Sequence, residues 1–187
     1  DWPLDKPKAC GICFTTFIDI ADSTNVSLGG SGLIDGRGGL WWPQRWHNAT
    51  FNKLRHPPYM LHLLNTSGFE LHNLTLIDPP AQFFSMGHSS RVRMSHFNFS
   101  ASWVNGSCPH PVQEAGHANS GLCEPQNSDG VDIAAGTHDV HIHDAYIQNG
   151  DDTITIKYGY DSPATRTGCV RDVLVEDMVY RFGWGSN

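Results

Sequence analysis

No stretch of this chain keeps a helical period, no run is apolar enough to cross a membrane, and basic residues are scarce. The first absence leaves an all-β chain, and the second excludes a spanning helix. Twelve Lys and Arg stand against 19 Asp and Glu, a net charge of -7. That balance argues against nucleic acid or an anionic membrane surface as partner. Cysteine is sparse and odd in number, at five. Cys108 and Cys123 flank a Pro/Gly/His-containing loop and are placed to close it as a local disulfide. Cys10, Cys13 and Cys169 then leave one thiol unpaired or paired outside the chain. Cys10-Gly11-Ile12-Cys13 has the spacing of a redox or zinc pair, but no second pair accompanies it, which favours ordinary disulfides. There is no signal peptide, as expected of a mature N-terminus or a fragment.

What the chain does have is asparagine in glycosylation context. Six Asn-X-Ser/Thr sequons occur, at Asn25, Asn48, Asn65, Asn73, Asn98 and Asn105. So many in a short chain point to a secreted eukaryotic glycoprotein bearing N-linked glycans.

It also has a repeat. Val26-Ser27-Leu28, Phe69-Glu70-Leu71, Val92-Arg93-Met94, Val140-His141-Ile142 and Val173-Leu174-Val175 begin similar registers, spaced 43, 23, 48 and 33 residues apart. Seven positions after each first residue stands another apolar residue: Leu33, Leu76, Phe99, Ile147 and Tyr180. Alternation within each run means one buried and one solvated face. The near-constant offsets favour stacked coils over a sandwich or jelly roll, which are also built of short alternating strands. The expectation is one domain over residues 1–187, a right-handed parallel β-helix that is incomplete at its C-terminal end. The longer spacings read as a coil plus a loop.

Two acidic motifs sit at that period. Asn127-Ser128-Asp129-Gly130 and Gly150-Asp151-Asp152 each precede a short apolar-alternating run. The 22 positions from Asp129 to Asp151 are about one coil. Neighbouring coils stack about 4.8 Å apart, so Asp129, Asp151 and Asp152 should form one acidic cluster. Crowded carboxylates cannot all ionise easily, and at least one should keep a proton. Strict alternation would place Asp151 and Asp152 on opposite faces, unless Gly150 supplies an irregular backbone that aims both the same way.

Several segments together resemble the polygalacturonase family of glycoside hydrolases, family 28, within the pectin-lyase-like β-helix superfamily. They are Gly32-Leu33-Ile34-Asp35-Gly36-Arg37-Gly38 with Trp41-Trp42, Arg55-His56-Pro57-Pro58 with Leu74 to Pro80, Asn127-Ser128-Asp129-Gly130, and Gly150-Asp151-Asp152. The resemblance implies inverting hydrolysis of a pectin-like polysaccharide, without metal or cofactor. Asp151 would be the general acid, and Asp129 and Asp152 would hold and activate water. Inversion of this kind needs about 6.5–9.5 Å between acid and base.

The chain departs from the family pattern in two places. The Gly-His-Gly that usually follows is replaced by Phe182-Gly183-Trp184-Gly185, and the later Arg-x-Lys has no counterpart. Gly-Trp at this point is similar to dextranase-type hydrolases of family 49, so a neutral glucan is an alternative substrate. Ile156-Lys157-Tyr158-Gly159 resembles the Ile-Lys-Ser-Gly of exo-acting members. Lys157, Trp184 and Asn127 are therefore candidate substrate-binding residues. Trp41, Trp42 and Trp46 are candidates either for stacking on sugar rings or for packing over a coil end. His141 and His143 share one strand face, as a metal pair would, but read as its solvated side. The competing reading is a non-catalytic structural, wall or filament β-helix glycoprotein that self-associates.

Overall fold

The computed structural model describes residues 12–13, 16–43, 55–102, 104–105, 122–123, 125, 127–157 and 168–181. In chain order the strands are β1 (Ile12–Cys13), β2 (Ile18–Ala21), β3 (Thr24–Gly29), β4 (Leu33–Asp35), β5 (Arg55–His56), β6 (Leu61–Leu64), β7 (Ser67–His72), β8 (Thr75–Ile77), β9 (Phe84–Gly87) and β10 (Ser90–Ser95). They continue with β11 (Asn98–Ser100), β12 (Val104–Asn105), β13 (Leu122–Cys123), β14 (Val131–Ile133), β15 (His138–Gln148), β16 (Ile154–Ile156) and β17 (Arg171–Arg181). One 3-10 turn, Gly38–Leu40, follows β4.

These strands wind into a right-handed parallel β-helix of five stacked coils. The first sheet runs β2-β6-β9-β14-β16, and every pairing in it is parallel. The second runs β3-β7-β10-β15-β17 along one part, with β4-β8-β11 joining the far halves of β15 and β17. The antiparallel pair β12–β13 forms a separate two-stranded sheet.

The register explains why these residues make strands. Val26, Phe69, Val92, Val140 and Val173 stack in one ladder, and Leu28, Leu71, Met94, Ile142 and Val175 in the next. Ile18, Leu61, Phe84, Val131 and Ile154 form the facing ladder of the first sheet. Phe69, Leu71, Leu76, Phe83, Phe99 and Leu63 are fully buried, and the Phe83 and Phe99 rings stack with centroids 5.0 Å apart. Each such side chain contributes about 1.5–3 kcal/mol of burial.

The repeat period holds for all five anchors, and the far ladder differs at one place. Leu76, Phe99, Ile147 and Tyr180 stack as expected, but in the first coil Ile34 takes the position, not Leu33. Leu33 is 60% exposed. The Gly-Gly-Ser-Gly corner at residues 29–32 absorbs one extra residue, so the offset there is eight rather than seven.

The corners have their own ladders. Asn25, Gly68, Arg91, Asp139 and Asp172 are left-handed in every coil at the same register, and so are Asn73, His96, Asp144 and Asp177. Asn and Asp tolerate this conformation best among side-chain-bearing residues. Three sequon asparagines, Asn25, Asn65 and Asn73, therefore have a local reason to be asparagine. Those three and Asn98 are all exposed. Asn65 already donates its amide to Asp22 at 2.6 Å. Asn48, and the side chain of Asn105, lie outside the described residues.

Candidate active site

The acidic motifs occupy the corner where the chain enters the first sheet. The pairing Val131–Ile154 fixes a coil of 23 residues, so Asp152, not Asp151, lies directly over Asp129. The Gly130 N–H donates to the Asp152 carbonyl at 2.9 Å, and the Val131 N–H donates to Thr153 at 3.0 Å. A Cβ on Gly130 would fall 2.3 Å from the Thr153 carbonyl oxygen, so only glycine allows the two coils to close here.

Asp151 and Asp152 do escape strict alternation, and Asn149 is what bends the chain. Its buried side-chain amide donates to the carbonyls of both Asp151 (2.7 Å) and Asp152 (2.8 Å). Gly150 matters through contact rather than left-handed φ: a Cβ there would meet the Pro125 carbonyl at 2.7 Å. Its N–H donates to Ser128 Oγ, whose hydroxyl in turn donates to Pro125. Asn127, left-handed at φ 56°, donates its amide to Asp151 Oδ2 at 3.0 Å.

The result is that Asp129, Asp151 and Asp152 each place a carboxylate oxygen within 4.8 Å of the others. These are the nearest oxygens of each carboxylate, two of the three being stacked one coil apart and the third the chain neighbour of Asp152. Asp129 is 3% exposed, and its Oδ1 is buried without a hydrogen bond among the described residues, as is Oε1 of Gln82 on the adjacent coil. Burial, and then the charge of Asp129, push the Asp151 carboxyl above the ordinary carboxylate range.

Lys157 closes the site from beyond β16. Its N–H donates to the Ile133 carbonyl at 2.8 Å, and its ammonium reaches Asp129 Oδ2 at 2.5 Å and the Asp132 carboxylate at 2.9 Å. Burial alone would pull that ammonium down; the two carboxylate partners reverse this and hold it well above the usual lysine range. The sequence reading missed Asp132. It sits inside an ordinary alternating Val-Asp-Ile strand, and nothing local marks it. Its carboxyl is pushed up to about 6 by burial and by Asp129. Asn149 was missed as well, although a polar residue immediately before Gly-Asp-Asp was the available signal.

Other candidates fall elsewhere. Trp42 is fully buried and donates to the Pro79 carbonyl at 3.0 Å, so it packs rather than presenting a face to sugar. Trp46, Trp184, Tyr158, Cys10 and Cys108 lie outside the described residues, as does the side chain of Cys123. Cys169 is exposed and in no disulfide. His141 and His143 lie on the outer face of the second sheet, paired with Glu176 and Asp144 at 2.8 and 2.7 Å. A shallow concavity on that same sheet, lined by Asn25, Ser27, Glu70, Arg91 and Arg93, shares no residue with the aspartate corner.

The fold and this corner define a class: right-handed parallel β-helices that carry a cluster of carboxylates at the edge of one sheet. Within that class the chain belongs to the glycosyl hydrolases family 28, whose profile matches residues 9–185. It is 29% identical over 183 residues to a probable polygalacturonase of Vitis vinifera, covering 93% of this chain and 32% of that protein. The chain thus spans about a third of the length of the curated relatives it matches. Among solved structures, the endo-xylogalacturonan hydrolase of Aspergillus tubingensis has the same fold, with TM-score 0.67 at 22% identity over 90% of this chain and 38% of that one. An exopolygalacturonase of Thermotoga maritima matches with TM-score 0.67 at 16% identity, over 97% of this chain and 50% of that one.

Proposed function

We propose that the chain carries the catalytic corner of a secreted glycoside hydrolase that cleaves a pectin-like polysaccharide. The observation that carries this reading is the convergence of Asp129, Asp151 and Asp152 within 4.8 Å, in a family of glycosidases. Asp151 has the environment of a general acid, since burial and Asp129 favour its protonated form. It delivers that proton to the leaving glycosidic oxygen. Asp129 and Asp152 hold the attacking water, and Asp129 takes its proton. The reaction is a single displacement with inversion. Asn127 holds Asp151 in place through its amide and lies where a sugar hydroxyl can also reach. The relatives whose names carry polygalacturonase or xylogalacturonan hydrolase activity support an acidic pectic substrate over a neutral glucan.

The test is reducing-sugar release from polygalacturonate, xylogalacturonan and dextran by the purified native protein, beside Asp151→Asn. Release from a pectic polymer that disappears in the variant supports the reading, and proton NMR of the first-formed anomer reads the stereochemistry. Full activity in Asp151→Asn overturns the assignment of the acid. Carbohydrate analysis of the native protein at Asn25 and Asn98 tests secretion and glycosylation together.

A further inference from the structure

We propose that Lys157 is a positioning residue shared between two buried carboxylates, holding Asp129 ionised as the base while Asp132 draws off part of its charge. The inference rests on the glycosidase reading for its consequence, and on three side chains for its content. Resemblance suggested a lysine in the substrate groove. The geometry assigns it inward. The Lys157 side chain is 18% exposed and those of Asp129 and Asp132 are 4% and 3% exposed. Its backbone is tied to Ile133, and its ammonium reaches both carboxylates. One cation thus serves two buried anions, where an isolated buried anion would be several kcal/mol unfavourable.

The two carboxylates are not equivalent. Asp132 has a second donor, the Thr155 hydroxyl at 2.5 Å, whereas Asp129 has Lys157 on Oδ2 and, among the described residues, no hydrogen-bond partner on Oδ1. An ionised carboxylate with one oxygen held by a cation and the other uncommitted keeps a lone pair for a proton taken from water. Full possession of the lysine would make Asp129 too weak a base; no lysine would leave two adjacent anions, one of which must take up a proton. Asp132 sets the balance between these limits. Among the described residues the other charged groups facing Asp129 are Asp151 and Asp152, both anionic when ionised. The adjacent coil presents Gln82 and Ser85, neither of which titrates.

This arrangement predicts opposite responses from two substitutions. In Lys157→Met the acid limb of the pH–kcat profile moves up by about 1–3 units, because the base now shares a site with an uncompensated carboxylate. In Asp132→Asn, which is isosteric, the same limb moves down, because Asp129 loses an anionic neighbour that also competes for Lys157. Lys157→Arg keeps the charge and returns the limb toward that of the native protein. The same variants are read without substrate by carbon-13 NMR of the aspartate carboxyls, where the Asp129 resonance titrates at higher pH in Lys157→Met and lower in Asp132→Asn. Opposite shifts in that titration support the bridge even if no polysaccharide is cleaved, in which case the glycosidase reading alone fails. Shifts in one common direction, or none, overturn the bridge whatever the activity. If Lys157→Met does not fold, the sign of the Asp132→Asn shift decides.

Discussion

The two sheets of this solenoid handle charge in opposite ways. On the outer face of the second sheet acidic side chains pair one to one with basic ones in water. Arg93 bonds Asp139, His141 faces Glu176 and His143 faces Asp144, and all six side chains are between a quarter and a half exposed. At the edge of the first sheet four carboxylates, Asp129, Asp132, Asp151 and Asp152, stand around one lysine among the described residues, and the most buried of them are nearly closed to solvent. Equal numbers in water screen one another and change little. Unequal numbers out of water force protons to stay on, which is how a carboxyl becomes an acid at a pH where it would ordinarily be spent. The comparison shows that local imbalance, not total charge, marks the reactive corner of a chain that is acidic throughout.

Several substitutions break or sharpen that contrast. The largest effect is expected from Asp151→Asn, which removes the proposed proton donor and should lower kcat by about 10²–10⁴-fold without unfolding the protein; thermal denaturation beside the assay separates the two. Next comes Gly130→Ala. Its methyl collides with the Thr153 carbonyl, and pushing two coils apart should cost about 1–3 kcal/mol in chemical denaturation as well as displacing Asp129 from Asp152.

Asp132→Asn tests the imbalance through stability. The folded-state carboxyl lies near 6, against an ordinary value of 3.8. The folded form therefore binds more protons than the unfolded one between those values, and stability falls as pH rises through that window. The Asn variant should flatten this slope, and urea titrations at pH 4 and pH 6.5 measure it. Smallest of all should be Glu176→Gln on the second sheet, worth about 0–1 kcal/mol and weakened further by salt. A loss as large as that of Gly130→Ala would show that the exposed pairs are not the screened bystanders their geometry implies.

How much of this was legible in the sequence follows from what each residue depends on. The anchors at Val26, Phe69, Val92, Val140 and Val173 could be read because side-chain period and coil stacking leave the same mark in every turn. Leu33 was misplaced because a glycine-rich corner lengthens the path without altering the pattern on either side. The acidic trio was visible as two short motifs, but which aspartate lies over which was not, since a 22- or 23-residue coil differs by one position in a turn. Asp132 was hidden, and Lys157 was singled out for the substrate groove rather than for this bond, for another reason. Their link joins two coils 25 positions apart, and each alone looks like an ordinary strand residue facing water. Gly150 was singled out for flexibility, whereas the structure uses it for close approach to Pro125.

The connections back to the first sheet differ widely in length, residues 36–60, 78–83, 101–130 and 149–153, yet the strands they lead into keep one register throughout. All four lead into the first sheet, and the last two carry the aspartates at that entry. Lengthening a connection adds closure entropy only logarithmically and touches no ladder of the core. This corner is therefore the place where the walls around the carboxylates can be rebuilt by lengthening or shortening a connection while the scaffold beneath stays unaltered.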